Sequence, residues 1–332
     1  MPSVKTSSHV RLPNWTASES PVRPSDLDTI TDFREHLQAA GKSPKTVVTY
    51  REAALAFVAF TARKGMPVLE QVTREHLEDY FGELRLRGNR PSTVRNRQAS
   101  LRAIFAWMLR EDIRTGEHPM ARIRLEKIPE QVLPHYADDD VLALLAAIPN
   151  KATDLLALRD RALILLLCDT GLRGQELCDV RLGHAEREAR QVEVVKGKGG
   201  KGRMVAYSTE TANAIARYLR RRGGWEALGR TAPLFAQRNG QPLTLNSVRS
   251  LMQRRFGAAG VEFRGVHGFR RTFGIAFLEA GGDPIDLKEL AGWSSWSMLH
   301  RYTRATARSR ALRAHEEHSP VARLMQKKGK GR

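Results

Sequence analysis

Residues 290–303 read LAGWSSWSMLHRYT and close on Tyr302. A tyrosine hydroxyl can attack phosphorus and hold the product covalently, provided cationic donors stabilise the charge that builds on the phosphoryl oxygens. Such donors stand upstream in three separate places. Arg173 lies in DTGLRGQEL (169–177), Lys198 in VKGKGGKGR (195–203), and His267 with Arg270 in VHGFRRTFG (266–274).

Each has a local context. A near-continuous apolar helix is expected over 154–168, and Gly171 breaks it just before Arg173, so that guanidinium leaves a rigid scaffold. Glu176, three residues on, is placed to grip it in a bidentate pair. A helix-capping arginine with a surface ion pair is the plainer alternative. Lys198 sits in a glycine-rich turn between two strand patterns, with Lys196 and Lys201 beside it and Arg203 following. The turn lacks the GxxxxGK[ST] spacing of a nucleotide-binding loop, which excludes an NTPase. A basic hairpin lying on DNA without sequence preference is the alternative there. His267 and Arg270 are three apart on the opening turn of a helix and project from one face.

Taken in this order, TGLR with its following EL, the lysine hairpin, HxxR running into RTF, and SMLHRYT resemble the active site of the tyrosine recombinase (phage integrase) family. SPKTVVTY (43–50) and STVRNRQASLRAIFAWML (92–109) resemble that family's N-terminal domain, so the resemblance spans roughly residues 25–318. It implies a two-domain, Xer-like site-specific recombinase. Tyr302 would be the nucleophile and leave a 3′-phosphotyrosine. Arg173 and Arg270 would clamp the scissile phosphate, and His267 would donate a hydrogen bond or accept the tyrosine proton. Lys198 would reach the minor groove and protonate the leaving 5′ oxygen. The implied fold is mainly α: a SAM-like helical core-binding domain, then a mostly helical catalytic domain with a small antiparallel sheet, the DNA breaking–rejoining fold.

The implied partners are double-stranded DNA recombination sites held by a homotetramer through a Holliday junction, with accessory DNA-bending or directionality proteins. No cofactor is implied, neither ATP nor a metal, because the phosphotyrosine keeps the energy of the broken bond. A mobile-element or phage integrase is the expected role, with a resolver of chromosome dimers or a catalytically degenerate DNA-binding relative as alternatives. A type IB topoisomerase fits the two-domain layout less well. One position departs from the family. Nine residues before the nucleophile (302 − 293 = 9), where histidine is usual, stands Trp293. Its indole N–H can donate one hydrogen bond but cannot shuttle a proton. A donor to phosphate and a core aromatic both remain open readings.

Composition agrees with a polyanionic partner. Across 332 residues, 55 Lys and Arg against 36 Asp and Glu give a formal charge of +19, and cations that neutralise phosphates release condensed counterions. Cys168 and Cys178 form no CxxC, so a structural zinc site is not expected and both read as reduced core residues. The opening MPSVKTSSHVRLPNW has no apolar core, so no secretory signal is expected. The run ALILLLC (162–168) is far below the ~20 residues of a membrane span. A cytoplasmic protein is expected.

The domain plan runs as follows. Residues 1–24 form a polar arm and 25–128 a four-helix domain. Residues 129–136 are a linker, 137–318 the catalytic domain and 319–332 a basic tail. In the first domain Ser25 and Ser43 are expected N-caps, Pro44 opens the second helix and Ser92 the fourth. Lys42 and Lys45 at the mouth of the second helix, and Arg95 and Arg102 seven apart on the fourth, are the DNA-binding candidates there. A solvated basic face is the plainer reading of them. Two strands, near 192–194 and 204–207, are expected in the second domain.

Overall fold

Pro24, Pro44 and Pro91 each fix the backbone in a first helical turn, and three of the four helices of the N-terminal unit start on them. The computed structural model describes residues 22–128, 134–149, 153–195 and 202–321. The chain divides into two units, Met1–Gln131 and Val132–Arg332. The first holds α1 (Pro24–Ala39), α2 (Pro44–Arg63), α3 (Arg74–Leu86) and α4 (Pro91–Arg110). Ser43 caps α2 as expected, accepting from the Thr46 N–H. Ser25 and Ser92 do not cap. The proline before each already occupies the first helical position, so Arg23 and Arg90 become the N-caps. Apolar residues at helical spacing close the core: Ile30 and Phe33 from α1, Phe57 from α2, Leu77 and Phe81 from α3, Leu101 and Phe105 from α4.

The second unit runs α5 (Asp138–Ala146), α6 (Leu155–Thr170), α7 (Gly174–Asp179), β1 (Ala185–Glu186), β2 (Gln191–Val194), β3 (Arg203–Ala206), α8 (Thr209–Arg222), α9 (Trp225–Leu228), α10 (Leu245–Ala259), α11 (His267–Glu279), α12 (Pro284–Ala291), α13 (Trp296–Ala305) and α14 (Ala307–His318). α6 is the axis, buried on nearly every side and packed against α8 and α11. Its two buried charged residues are matched inside. Arg159 bonds Asp160 and the Ala236 carbonyl, and Arg255 of α10 takes the other Asp160 oxygen at 2.8 Å. The sheet is antiparallel in the order β1–β2–β3, with Val192 opposite both Ala185 and Val205. β1 is the strand the sequence hid, since two residues are too few to show an alternation. In α5, Leu144 is buried, as is Ile148 just beyond the helix end, whereas Leu142 stands off that face and is 63% exposed. No described helix is long and apolar enough to cross a membrane.

Tyr136, expected as the last linker residue, is instead in the core of the second unit. Its N–H donates to Thr272 Oγ1 at 2.8 Å, its hydroxyl donates to the Gly265 carbonyl at 3.0 Å, and its hydroxyl accepts from the Arg264 N–H. The ring lies against α11 where a Cβ on Gly268 would come within 2.6 Å of it. A pinned, buried ring cannot yield. Gly268→Ala is expected to destabilise the protein by about 1–3 kcal/mol through overpacking. A thermal or urea melt checks this, and a parental midpoint would show that the ring gives way.

Candidate active site

α6 ends at Gly171, which takes the left-handed conformation (φ 57°) and donates its N–H to the Leu167 carbonyl. The chain turns, buries Leu172, and places Arg173 as the N-cap of α7 with its side chain 30% exposed. Glu176, in the first turn of α7, accepts from the Arg173 backbone N–H at 2.9 Å and from Arg173 Nη1 at 2.5 Å. The expected pairing is there, but Glu176 does not grip the Arg173 fork with both oxygens. That grip belongs to Arg203, whose Nη1 and Nη2 reach Oε1 and Oε2 at 3.1 and 2.8 Å. Burial alone pushes the Glu176 carboxyl up. The Arg203 hydrogen bonds, the Arg173 N–H and the arginine charges outweigh it and hold the group at about 2.

Arg270 is the most deeply buried of the cations, at 1% exposure on the first turn of α11. Nη1 donates to the Gly171 carbonyl at 2.8 Å and Nη2 to the Ala291 carbonyl. Both acceptors end helices, where the backbone dipoles favour a cation. Two of its five N–H donors are used this way. Burial, then the charges of Arg173 and Arg203, lower its pKa to about 10, which leaves it charged at neutral pH. His267 opens α11 and is exposed by area. Desolvation by the surrounding protein, then Arg271, Arg270 and Arg173, bring its pKa down to about 4, so the ring is neutral.

α12 ends at Gly292 in the left-handed conformation (φ 62°), and the Trp293 N–H donates back to the Lys288 carbonyl. The Trp293 indole is buried. It stacks on Tyr302 with ring centroids 4.5 Å apart, and the Arg270 guanidinium lies 5.4 Å from its centroid. Its Nε1–H is a buried donor with no partner among the described residues. Tyr302, on α13, is itself 2% exposed. Gly274 of α11 makes its seat: a Cβ there would lie 2.7 Å from Tyr302 Cδ1. Burial raises the phenol pKa, and Arg270, Arg271, Arg301 and Arg173 pull against that rise.

Arg173 and Glu176 are thus joined by hydrogen bonds, Arg270, Trp293 and Tyr302 by ring contacts, and Arg270 ties the two groups through the Gly171 carbonyl, with His267 beside it on the opening turn of α11. Lys196, Lys198 and Lys201 lie outside the described residues. Two DNA-binding candidates are corrected. Arg203 does not face solvent for DNA: its side chain is 10% exposed, and Nε also donates to the Leu290 carbonyl at 2.9 Å. Arg102 folds onto its own unit, with Nη2 on the Met120 and Ile123 carbonyls at 3.1 and 2.8 Å. Arg95 is exposed with Nη1 on the Glu126 carbonyl, and Lys42 and Lys45 are exposed. Sequence reasoning missed Gly274 and the bracing role of Arg203. An arginine directly after a lysine-rich turn reads as one more surface cation.

The model of the phage integrase family matches residues 136–309, and that of the phage integrase N-terminal SAM-like domain matches residues 30–115. The chain belongs to the phage integrase family. Among curated members, tyrosine recombinase XerC of Anoxybacillus flavithermus is 30% identical over 84% of this chain and 93% of its own length. Tyrosine recombinase XerD of Ralstonia nicotianae is 31% identical over 90% and 96%. Solved integrase folds superpose as well. A Tn1549 transposon integrase with transposon right end DNA gives a TM-score of 0.70 at 20% identity, covering 87% of this chain and 98% of that one. XerH bound to palindromic difH substrate gives 0.65 at 19%, covering 92% and 91%. This tyrosine recombinase therefore has the family's mainly helical two-domain fold and small antiparallel sheet.

The arginine field around His267 has a measurable consequence. In the free recombinase the ring is expected to titrate near pH 4 rather than 6.5, and an anion bound among the arginines is expected to raise it. Imidazole NMR signals assigned with His267→Asn, followed with and without duplex DNA, measure both. A midpoint near 6.5 that DNA leaves unmoved would contradict the assignment.

Proposed function

We propose that this site-specific recombinase cleaves duplex DNA by attack of Tyr302 on a phosphate held by Arg173 and Arg270. The observation that carries the reading is the chain of contacts from Gly171 through Arg270 and Trp293 to Tyr302, which joins segments far apart in sequence. Around it, the guanidiniums of Arg173, Arg203 and Arg270 face the single carboxylate of Glu176. A phosphodiester brings the negative charge that relieves their mutual repulsion, and the charge that grows in the transition state is stabilised further.

In the reaction the Tyr302 oxygen bonds phosphorus and the P–O5′ bond breaks. The phenol proton needs an acceptor, and His267 is the neutral base of the set, with its pKa held at about 4. The departing 5′ oxygen takes a proton for which Lys198 is the candidate donor. Before DNA binds, burial raises the Tyr302 pKa and disfavours the phenolate. The strand is later rejoined when a 5′-hydroxyl attacks the phosphotyrosine. Pairing of sites through a Holliday junction in a homotetramer, aided by accessory DNA-bending or directionality proteins, belongs to this reading. Lys42, Lys45 and Arg95 are its candidate phosphate contacts in the first unit.

Two biological roles share the chemistry. Integration of a mobile element is the first. The near-full-length match to tyrosine recombinase XerC favours a Xer-type role as the second. Cleavage of element ends against cleavage of a chromosomal site separates them.

Tyr302→Phe is expected to abolish the covalent complex on a nicked suicide duplex while binding stays near parental, since affinity comes from phosphate contacts spread over the protein. A normal covalent band from that variant would refute the nucleophile. Arg173→Ala and Arg270→Ala are each expected to slow single-turnover cleavage by at least ~10²-fold.

Trp293 is tested by ranking. Its unpartnered buried N–H favours the donor reading over packing alone. Trp293→His, which keeps a donor, is expected to cleave faster than Trp293→Phe, which keeps the ring and loses about tenfold to a thousandfold. The reverse order, with Phe at the parental rate, would make Trp293 a packing residue.

A further inference from the structure

Among the described residues Glu176 receives four hydrogen bonds: two from Arg203, one from the Arg173 backbone and one from Arg173 Nη1. A carboxylate offers about four lone-pair sites, so this one is saturated. Saturation decides what Arg173 does. With Arg203 filling both oxygens, Arg173 keeps a single guanidinium hydrogen bond among the described residues, and the rest of its planar fork makes none there. With Arg203 removed, two acceptor sites open on a buried carboxylate, and the Arg173 fork matches them bidentately.

We propose that Arg203 is a positioning residue: it occupies Glu176 so that the Arg173 fork stays turned to the scissile phosphate. The inference rests on Arg173 being a phosphate ligand. Arg203 is placed for the task from both ends. It is the first residue of β3, directly after the lysine-bearing turn. Its Nε caps the Leu290 carbonyl at the end of α12, and its Cδ would lie 2.8 Å from a Cβ on Gly292, the residue before Trp293. Glycine at 292 is what lets the arginine pass. One side chain therefore spans from the carboxylate behind Arg173 to the end of α12, which anchors it in place. A phosphate contact by Arg203 itself does not fit, because three of its donors are engaged inside the protein.

The test is single-turnover cleavage of a nicked duplex by Arg203→Gln and Arg203→Lys, with DNA affinity and melting temperature measured alongside. Arg203→Gln is expected to cleave about 10- to 100-fold more slowly, the scale for displacing a catalytic group by about 1 Å. DNA affinity should stay near parental. Lysine should restore the rate only in part, since a point charge cannot hold both carboxylate oxygens. The deciding measurement repeats Arg203→Gln in an Arg173→Ala background. Acting through Arg173, the second substitution adds no more than about twofold slowing, the usual limit of measurable coupling.

Full additivity of the two losses would make Arg203 an independent stabilising residue and overturn the proposal. So would near-parental cleavage by both single variants. If Arg203→Gln shows no cooperative melt, Arg203→Lys, which keeps the charge, carries the same cycle. Parental cleavage by Arg173→Ala alone would refute the phosphate-ligand reading instead, which separates the two failures.

Discussion

A guanidinium with almost no exposed surface, Arg270, is the constraint on which the second unit depends. A buried charge is costly unless its surroundings replace the lost water. Among the described residues no carboxylate hydrogen-bonds Arg270. Two helix ends do the work instead, through the Gly171 and Ala291 carbonyls, with the indole face of Trp293 beside them. α6 must therefore end at Gly171 and α12 at Ala291, each followed or capped by a left-handed glycine that turns the chain away. Burial first, and then the neighbouring arginines, lower its pKa to about 10. The protein is left short of negative charge at this spot, and a phosphodiester bound as proposed would supply it.

Helix α11 is held from two sides by aromatic rings that only glycine admits. Gly268 gives room to Tyr136 and Gly274 to Tyr302. Arg270 lies between them, so packing fixes its axial position as well as its hydrogen bonds do. Tyr302 and Trp293 belong to a small apolar cluster with Ile275, Leu278, Leu287, Ala291 and Leu299, separate from the main core around α6. A satellite core of this size buries less apolar surface than the main one and supplies correspondingly less local stability.

Much of this was legible in the sequence because the candidate site residues stand in short local patterns. The glycine break before Arg173, the three-residue step from His267 to Arg270 and the nine-residue step from Trp293 to Tyr302 are local facts that folding preserves. The apolar periodicity of α1, α2 and α6 is equally local. What stayed hidden depends on distant partners. Arg203 reads as a surface cation until Glu176 and Leu290 are brought to it. Arg102 shares a helix face with Arg95, yet turns to the carbonyls of Met120 and Ile123, which no helical spacing reveals. Tyr136 follows a proline-marked stretch that looks like linker, and only its ring packing on α11 shows otherwise. Pro24 and Pro91 took the first helical positions that would have made Ser25 and Ser92 caps.

The same residues define a direction. Arg270 and Trp293 are buried, Arg203 nearly so, Arg173 is partly exposed and His267 is open. The cluster runs from exposed to buried groups, so a phosphate bound as proposed would meet Arg173 and His267 first and the Arg270–Trp293 floor last. Each group at the floor is oriented by protein contacts before any ligand arrives. Preorganised donors of this kind pay no reorganisation energy during the reaction, and shielding from water strengthens their field. The partly exposed front is where orientation is least secured by packing. The saturated Glu176 carboxylate, shared between Arg203 and Arg173, is what secures it there.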